Sequence, residues 1–508
     1  MKSFDPDEDF PFEEVPAEVG RTIDDDITPI DAEAALGLLH AVTADLPGGG
    51  EDRTGQQEMA SAVAVSISRG RHLVVEAGTG VGKSLAYLAP LAMSDRRVVI
   101  ATATKNLQDQ LARKDAPQVA AKAPGFDFAL LKGKFNYYCH LRADEIGPAT
   151  GQGSFDDDAE LPQGVVSQIR RILDWAQDTE TGDRDSLPFE VDERAWRQVA
   201  ATPPQCVSRA RCRFGDKCFH EKAKDKAALS DVVIVNHALY AAHLATGGNL
   251  LPDHKIVVFD EAHEVHDSLA SLLGTSLSPS NLRAAAGVVR SGLESLGKER
   301  AKELSDSADR LGDALALQFA TGQVEGVSEA VAVELSHLVA TFTAIVEALK
   351  PTPSTDANDV NRIRAHQTMV GLLGDLGRIQ SANNDQLVWV SEDRGEHTIH
   401  LSLLEVGDVL RDNLWPQVSA ICTSATIPDG LVHQLGLPSE ATDVLAVPSP
   451  FNYAEHSLLY VARHLPDRLN DEAYFPQMLD ELTALITAAG GRTLSLFTNR
   501  TQMEKVAA

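Results

Sequence analysis

The sequence predicts an α/β fold: a parallel sheet that carries a phosphate cradle and is interrupted by two inserted domains. Three observations carry this prediction. The stretch Glu76-Ala-Gly-Thr-Gly-Val-Gly-Lys-Ser84 follows an apolar run and opens a helix. Four more apolar runs, at 97–102, 231–237, 255–260 and 418–422, lead into polar residues, as strands buried on both faces do where they meet a ligand crevice. Finally, about 150 residues separate Leu111 from Asp260 and about 160 separate His263 from Thr423, against roughly 2–6 in an ordinary α/β connection. The surplus must fold as domains of its own.

With 508 residues, 43% of them hydrophobic, the chain is long enough for about three domains. Its net charge of −29 excludes a broadly basic, non-specific nucleic-acid binder, because backbone binding needs clustered cations to displace counterions. Any nucleic acid must meet local basic patches. The N-terminus, Met1-Lys-Ser-Phe-Asp-Pro-Asp-Glu-Asp9, is too acidic for a secretory signal. No run approaches the roughly 18 apolar residues of a membrane span, so a cytoplasmic protein without a membrane partner is expected. Residues 1–27, acidic through Asp24-Asp-Asp26, are expected to be disordered. Four of the five cysteines lie between 139 and 218, which in a reducing compartment favours a metal site over disulfides.

From residue 28 a helix is expected, with Ala35, Leu38, Leu39 and Val42 on one face and the breaker Pro47-Gly-Gly-Gly50 at its end. Arg53 and Gln56 precede a helix over 57–68; guanidinium and amide donors there suit the edge of an adenine. In the loop, Ala77, Gly78, Thr79, Gly80, Val81 and Gly82 present backbone N–H groups to an anion at a helix N-terminus. Lys83 reaches the terminal phosphates and Ser84 offers its hydroxyl to Mg²⁺. Ala77 stands where a glycine is usual, a position that requires only a small residue.

The strand at 97–102 runs into the polar turn and helix Ala103-Thr-Lys-Asn-Leu-Gln-Asp-Gln-Leu111. The strand at 255–260 ends in Asp260-Glu-Ala-His263. A carboxylate at that place holds Mg²⁺ in a phosphate-loop NTPase and its neighbour orients the attacking water, which makes Asp260 the metal ligand and Glu261 the base. His266 and Asp267 read as surface residues. The last strand ends in Thr423-Ser-Ala-Thr-Ile427, small hydroxyls able to relay contacts from the nucleotide, with Cys422 in the core.

The first insertion holds Cys139, Cys206, Cys212 and Cys218. The short C-x2-4-C chelates of structural zinc sites are lacking, and four widely spaced thiolates suit a [4Fe–4S] cluster; His140 and His220 keep a mixed zinc site open. Arg209, Arg211, Arg213, Lys217, Lys222, Lys224 and Lys226 lie close by, with Tyr137, Tyr138 and Phe214 interleaved. Cations among aromatics suit a single strand, and a solvated basic face is the plainer alternative. The second insertion reads as an antiparallel helical bundle, with Ser278-Pro279 as a cap and Leu335, Leu338, Val339, Phe342, Ile345, Val346 and Leu349 on one face. Segments 387–390 and 398–401, separated by Glu392-Asp-Arg-Gly395, read as a hairpin leading back to the core. After Pro448 a new unit is expected, with an amphipathic helix and a strand at 492–497. Too few residues follow to close a sheet, so this unit is expected to be incomplete and the chain truncated.

Together these pieces resemble the DinG branch of the XPD-like iron–sulfur helicases of superfamily 2. The likeness runs from Arg53 and Gln56 through 77–84, 102–111, the four cysteines, Asn236-His237, Asp260 to His263 and Ser424-Ala-Thr426 to Gly490-Gly-Arg-Thr-Leu-Ser-Leu-Phe497. It implies an ATP-dependent DNA helicase moving 5′ to 3′ on single strands in repair or replication. ATP and Mg²⁺ are its cofactors, with a [4Fe–4S] cluster on the four cysteines. Lys83, Asp260, Glu261 and His263 would be catalytic. Thr102, Thr104, Gln108, Arg209, Arg211, Arg213 and Lys217 would bind DNA, and Ser424, Ala425 and Thr426 would couple the two activities. The implied partners are single-stranded, forked or gapped duplex DNA, with RNA–DNA hybrids as a further candidate, bound by a monomer.

The implied architecture is a RecA-like motor lobe at 28–125, 229–266 and 385–450, an iron–sulfur domain at 126–228, a helical arch at 267–384, and the start of a second RecA-like lobe at 451–508. The leader leaves no room for the exonuclease domain some relatives carry. The family's last motif, Gln-x-x-Gly-Arg, is nowhere in these residues, and loss of its arginines should nearly abolish turnover. A non-catalytic nucleotide- and nucleic-acid-binding module with a structural zinc site is the alternative.

Overall fold

The computed structural model describes residues 28–47, 49–146, 161–293, 296–350, 359–393, 395–468 and 470–507; the acidic segment 1–27 lies outside them. Among the described residues the strands are β1 (His72–Ala77), β2 (Val98–Thr102), β3 (Phe128–Leu130), β4 (Val232–Asn236), β5 (Ile256–Asp260), β6 (Thr275–Leu277), β7 (Gln386–Asp393), β8 (Glu396–Leu403), β9 (Ser419–Ser424) and β10 (Thr442–Val447). Seven form one sheet in the order β10-β1-β9-β5-β2-β4-β3, and every pairing in it is parallel.

Alternation along the strands divides two cores. Leu73, Val75, Val98, Ile100, Ile234 and Val258 face helices α1 (Ala32–Ala44), α2 (Thr54–Ser68) and α3 (Lys83–Leu91). Val74, Val99, Ala101, Val233, Val257 and Phe259 face Tyr240, Val265, Leu269, Leu410 and Trp415. With both faces covered, the strands must be apolar throughout, which is why the inner ones were legible. The edge strands β3 and β10 were not. β3 has only three residues, and β10 is solvated along one face, with Val444 69% exposed.

Two further cores interrupt the sheet. Tyr137, Tyr138, Ile169, Ile172, Trp196, Val199 and Phe219 pack together around the cysteine-bearing segments. The helices Pro279–Gly292, Gly297–Ala320, Glu329–Leu349 and Val360–Gln380 pack with the antiparallel sheet β6-β8-β7. The expected hairpin is present: it buries Val388, Val390, Ile399 and Leu401 among these helices, and the chain leaves it through helix Val406–Asn413 to enter the main sheet at β9. The Ser278 cap forms as read: Ser278 and Asn281 make a capping box with Pro279 at the first helical position. Helix Glu329–Leu349 is long and apolar enough to cross a membrane by length and composition; its Val331, Leu335, Leu338, Phe342, Ile345 and Leu349 are buried in this core.

Ion pairs fasten these parts. Lys132, 1% exposed, meets Asp109 at 2.9 Å, Asp183 at 2.9 Å and Asp185 at 2.8 Å, so the segment after β2 and the cysteine-bearing region share one buried cation. Its ammonium pKa is raised: burial opposes the charge, and the three carboxylates outweigh it. Arg364 of the helical region donates to the Gln205 carbonyl at 2.7 Å and to Glu145 at 2.8 and 2.9 Å.

Residues 451–508 form a second compact unit, with helices Asp471–Ala488 and Arg500–Ala507. The strand expected at 492–497 does not form, and Leu494 and Leu496 are exposed. Among the described residues no neighbouring strand takes up their backbone groups, and an extended segment without one makes no ladder.

Candidate nucleotide and metal site

The phosphate loop joins β1 to α3, as its spacing predicts. Gly80 and Gly82 take φ values of 83° and 88°, which glycine adopts without steric cost. A Cβ at 82 would also lie 2.3 Å from Gln56 Nε2. That amide donates to the Gly82 carbonyl at 3.0 Å, and the Arg53 guanidinium donates to the Gly80 carbonyl. Both residues therefore brace the loop. They also line a cavity of about 510 Å³ with Glu51, Asp52, Val81, Pro448 and Ser449, within the size range of small-molecule sites.

The sheet order does what the sequence does not announce. β9, last but one along the chain, lies between β1 and β5, with Thr423 opposite Asp260 and Ser424 opposite Glu76. Three strand ends thus converge. Lys83 Nζ contacts Glu261 Oε1 at 3.2 Å. Ser424 Oγ donates to Glu261 Oε2 at 3.3 Å and lies 2.7 Å from His263 Nδ1. A hydroxyl that spends its one proton on Glu261 accepts from the histidine, which places a proton on Nδ1. Glu261 has left-handed backbone, φ 57°, which costs an ordinary residue about 1–2 kcal/mol and turns it out of the strand toward Lys83.

Asp260 is 7% exposed, and its carboxyl is pushed up to about 6, first by burial and then by the charge of Glu261. Tyr87 donates to it at 3.5 Å, and the Glu261 amide at 3.2 Å. A buried carboxylate short of compensating charge, with the Ser84 hydroxyl on α3, is a hard-oxygen donor set suited to Mg²⁺. His237, kept neutral by burial with its pKa at about 4, donates to the Asp260 carbonyl at 2.9 Å and anchors the end of β5. Tyr87 was not singled out from the sequence. The available signal was its place three residues after Ser84, on the same helical face.

Two residues read as DNA contacts are buried. Thr102 is fully buried and donates to the Thr104 carbonyl at 3.2 Å. Gln108, 1% exposed, donates to the carbonyls of Leu131 and Ile234. Both support the sheet and neither faces solvent. Thr104 is exposed and caps helix α4 (Lys105–Gln110). Arg211 and Lys217 are exposed, while Arg209 pairs with Asp225 and Arg213 with Asp144.

The four cysteines are free thiols, each partly buried. Burial pushes the Cys139 thiol up to about 11, and the charges of Cys206 and Cys218 push the same way, so these three lie close enough to interact. Lys134 Nζ is 3.1 Å from Cys206 Sγ. Among the described residues no three His, Cys, Asp or Glu side chains converge tightly enough to hold a single ion. His140 stacks on Phe219 and His220 packs edge-on against Tyr137, both engaged with rings.

No family model matches the chain. It is 34% identical over 487 residues to "ATP-dependent helicase DinG" of Mycobacterium tuberculosis (strain ATCC 25618 / H37Rv), covering 89% of this chain and 72% of that protein. It is 32% identical over 491 residues to "ATP-dependent DNA helicase YoaA" of Escherichia coli (strain K12), covering 90% and 73%. Among solved structures, "Structure of S. tokodaii Xpd4" aligns over 90% of this chain and 73% of its own, at 12% identity and a TM-score of 0.46, a likeness too distant to carry an argument.

Proposed function

From membership of the DinG and YoaA family of ATP-dependent helicases, to which this chain belongs, we infer that it is an ATP-dependent DNA helicase whose fuel is bound and hydrolysed where β1, β5 and β9 end. The observation that carries this reading is the relay from Lys83 through Glu261 to Ser424 and His263. In it the phosphate-binding cation, the base and the coupling segment touch directly.

We assign the roles as follows. The loop amides of 77–82 and Lys83 take the phosphates, and Arg53 and Gln56 flank the cavity for the base. Ser84 and Asp260 hold Mg²⁺, which when bound neutralises charge developing on the phosphates. Glu261 accepts the proton of the attacking water, and the Ser424–His263 pair orients it. Ala425 and Thr426 continue the coupling segment. Thr104, Arg209, Arg211, Arg213 and Lys217 are the proposed DNA contacts, and movement 5′ to 3′ along single strands of forked or gapped DNA, by a monomer in the cytoplasm, is part of the proposal.

Cys139, Cys206, Cys212 and Cys218 are proposed to hold a [4Fe–4S] cluster. Four thiolates at wide, irregular spacing support such a group, which would staple a region whose own core is small. We further propose the domain division given from the sequence with two shifts: β3 goes to the motor lobe, whose sheet it joins, and the hairpin β7–β8 to the helical arch, whose core it enters.

The test is nucleotide binding and DNA-stimulated ATP hydrolysis by the chain and its Lys83→Ala variant, with iron measured after anaerobic purification. Binding lost in the variant and about four irons per chain are expected. Nucleotide binding unaffected by Lys83→Ala would sink the assignment of the site.

A further inference from the structure

The buried Lys132 lies where three parts of the chain meet. Its backbone continues from the edge of the main sheet, where Leu131 N donates to the Ile234 carbonyl at 3.0 Å. Its ammonium donates to Asp183 at 2.9 Å and Asp185 at 2.8 Å in the cysteine-bearing region, and pairs with Asp109 of α4 at 2.9 Å. An ammonium has three N–H groups, and three carboxylates from two directions surround this one. The rest of the seam is built alike. Lys105, Asp109 and Arg113 recur every four residues, with Gln108 beside them, so they share one face of α4 and of the π-helical turn that continues it, Leu111–Asp115. Lys105 donates to the Asn136 side chain, Gln108 donates to the Leu131 carbonyl at 3.0 Å, and Arg113 lies 3.9 Å from Asp183.

Each side of this seam carries exposed residues assigned to the strand: Thr104 at the start of α4, and Arg211 and Lys217 in the cysteine-bearing region. Apolar surfaces can slide over one another at little cost, whereas a buried ammonium is expensive to move off its carboxylates. We propose that Lys132 is the positioning residue of the strand-binding surface: by drawing Asp109, Asp183 and Asp185 onto one ammonium, it holds Thr104 and the Arg211–Lys217 segment at a fixed separation, so that a single strand of DNA engages both at once. The proposal rests on the reading of those residues as DNA contacts. Two sites held in register bind a common strand more tightly than either alone, because the second contact forms within the complex. Such a role accounts for a charged cluster at a place where apolar packing would serve stability as well.

The test is binding of fluorescent oligothymidylate by the chain at several salt concentrations, with binding of a fluorescent ATP analogue measured alongside. Asp109→Asn and Asp185→Asn each weaken the cluster from one side of the seam; if one does not fold, the other is read. Both should lower DNA affinity about tenfold, part of the roughly 10²- to 10⁴-fold that linked sites gain over single ones, with analogue binding within about twofold of the unaltered chain. The plot of log affinity against log salt should become shallower by about 1.4, two phosphate contacts at roughly 0.7 each on a single strand. Arg211→Ala with Lys217→Ala should cost the unaltered chain as much, and cost the Asp109→Asn variant little further. Unchanged DNA affinity, a loss with unchanged slope, an equal loss of analogue binding, or a full additional loss from Arg211→Ala with Lys217→Ala in the Asp109→Asn background overturns the proposal. Full DNA binding by a chain carrying only Arg211→Ala and Lys217→Ala would instead overturn the assignment of those contacts, on which the proposal rests.

Discussion

Replacing Asp260 by Asn should make the nucleotide-free protein more stable while destroying its use of Mg²⁺. The carboxyl is raised from its ordinary 3.8 to about 6 by burial and by Glu261. At about 1.4 kcal/mol per tenfold in proton affinity, keeping it ionised costs the folded state about 3 kcal/mol at pH 8. The folded form therefore binds its proton more tightly than the unfolded form. Stability from this group is complete below about pH 4, falls as pH rises between about 4 and 6, and is absent above that window. Asparagine keeps the shape without the charge: its one carbonyl oxygen accepts from the Glu261 amide, and its NH₂ meets the Tyr87 hydroxyl, which turns to accept. In EDTA, hydrogen exchange of the β5 and β9 amides should show Asp260→Asn more protected by about 1–3 kcal/mol at pH 8, the gap closing toward pH 4. Mg²⁺–ATP at about 100 times its Kd should add about 2.7 kcal/mol to the unaltered chain and little to the variant. Equal protection at pH 8, or a gap that does not change with pH, would refute the argument that a strained charge is retained for the metal.

Ser424→Ala removes the hydroxyl between Glu261 and His263; hydrolysis measured under saturating ATP should fall about 100-fold, the scale of a misplaced catalytic group, with ATP binding changed by less than about threefold. Lys132→Met leaves Asp109, Asp183 and Asp185 facing one another without their buried cation. Thermal unfolding followed by calorimetry should show a loss of about 3–5 kcal/mol, and limited proteolysis should then open the segment around 183–185 first.

The local setting of the proposed site was legible in the sequence. Phosphate loops and strand-end carboxylates are contiguous motifs, so Gly80 to Ser84 and Asp260-Glu261 declare their setting through the apolar runs beside them. The inner strands were equally plain, because a sheet covered on both faces leaves no polar position to confuse the pattern. The edge strands β3 and β10 were not, since one is three residues long and the other half-solvated. Thr102, at the end of β2, and Gln108, on the helix that follows, are DNA contacts only by family resemblance. Only the packing reveals that they satisfy backbone carbonyls at and beside the strand ends.

What the sequence by itself determined is which residue types are carried by which element, for that depends on neighbours three or four positions away. Which strand ends meet is a question of sheet order, and order is settled by how the inserted regions fold and where they return the chain. Placing β9 between β1 and β5 brings Ser424 to Glu261 across 163 residues, and the folding of the first insertion brings Asp183 back to Lys132 across 51. Contacts of that kind come from burial of the two sheet faces and the pairing of groups that burial would otherwise strand, so they exist only once the tertiary structure does.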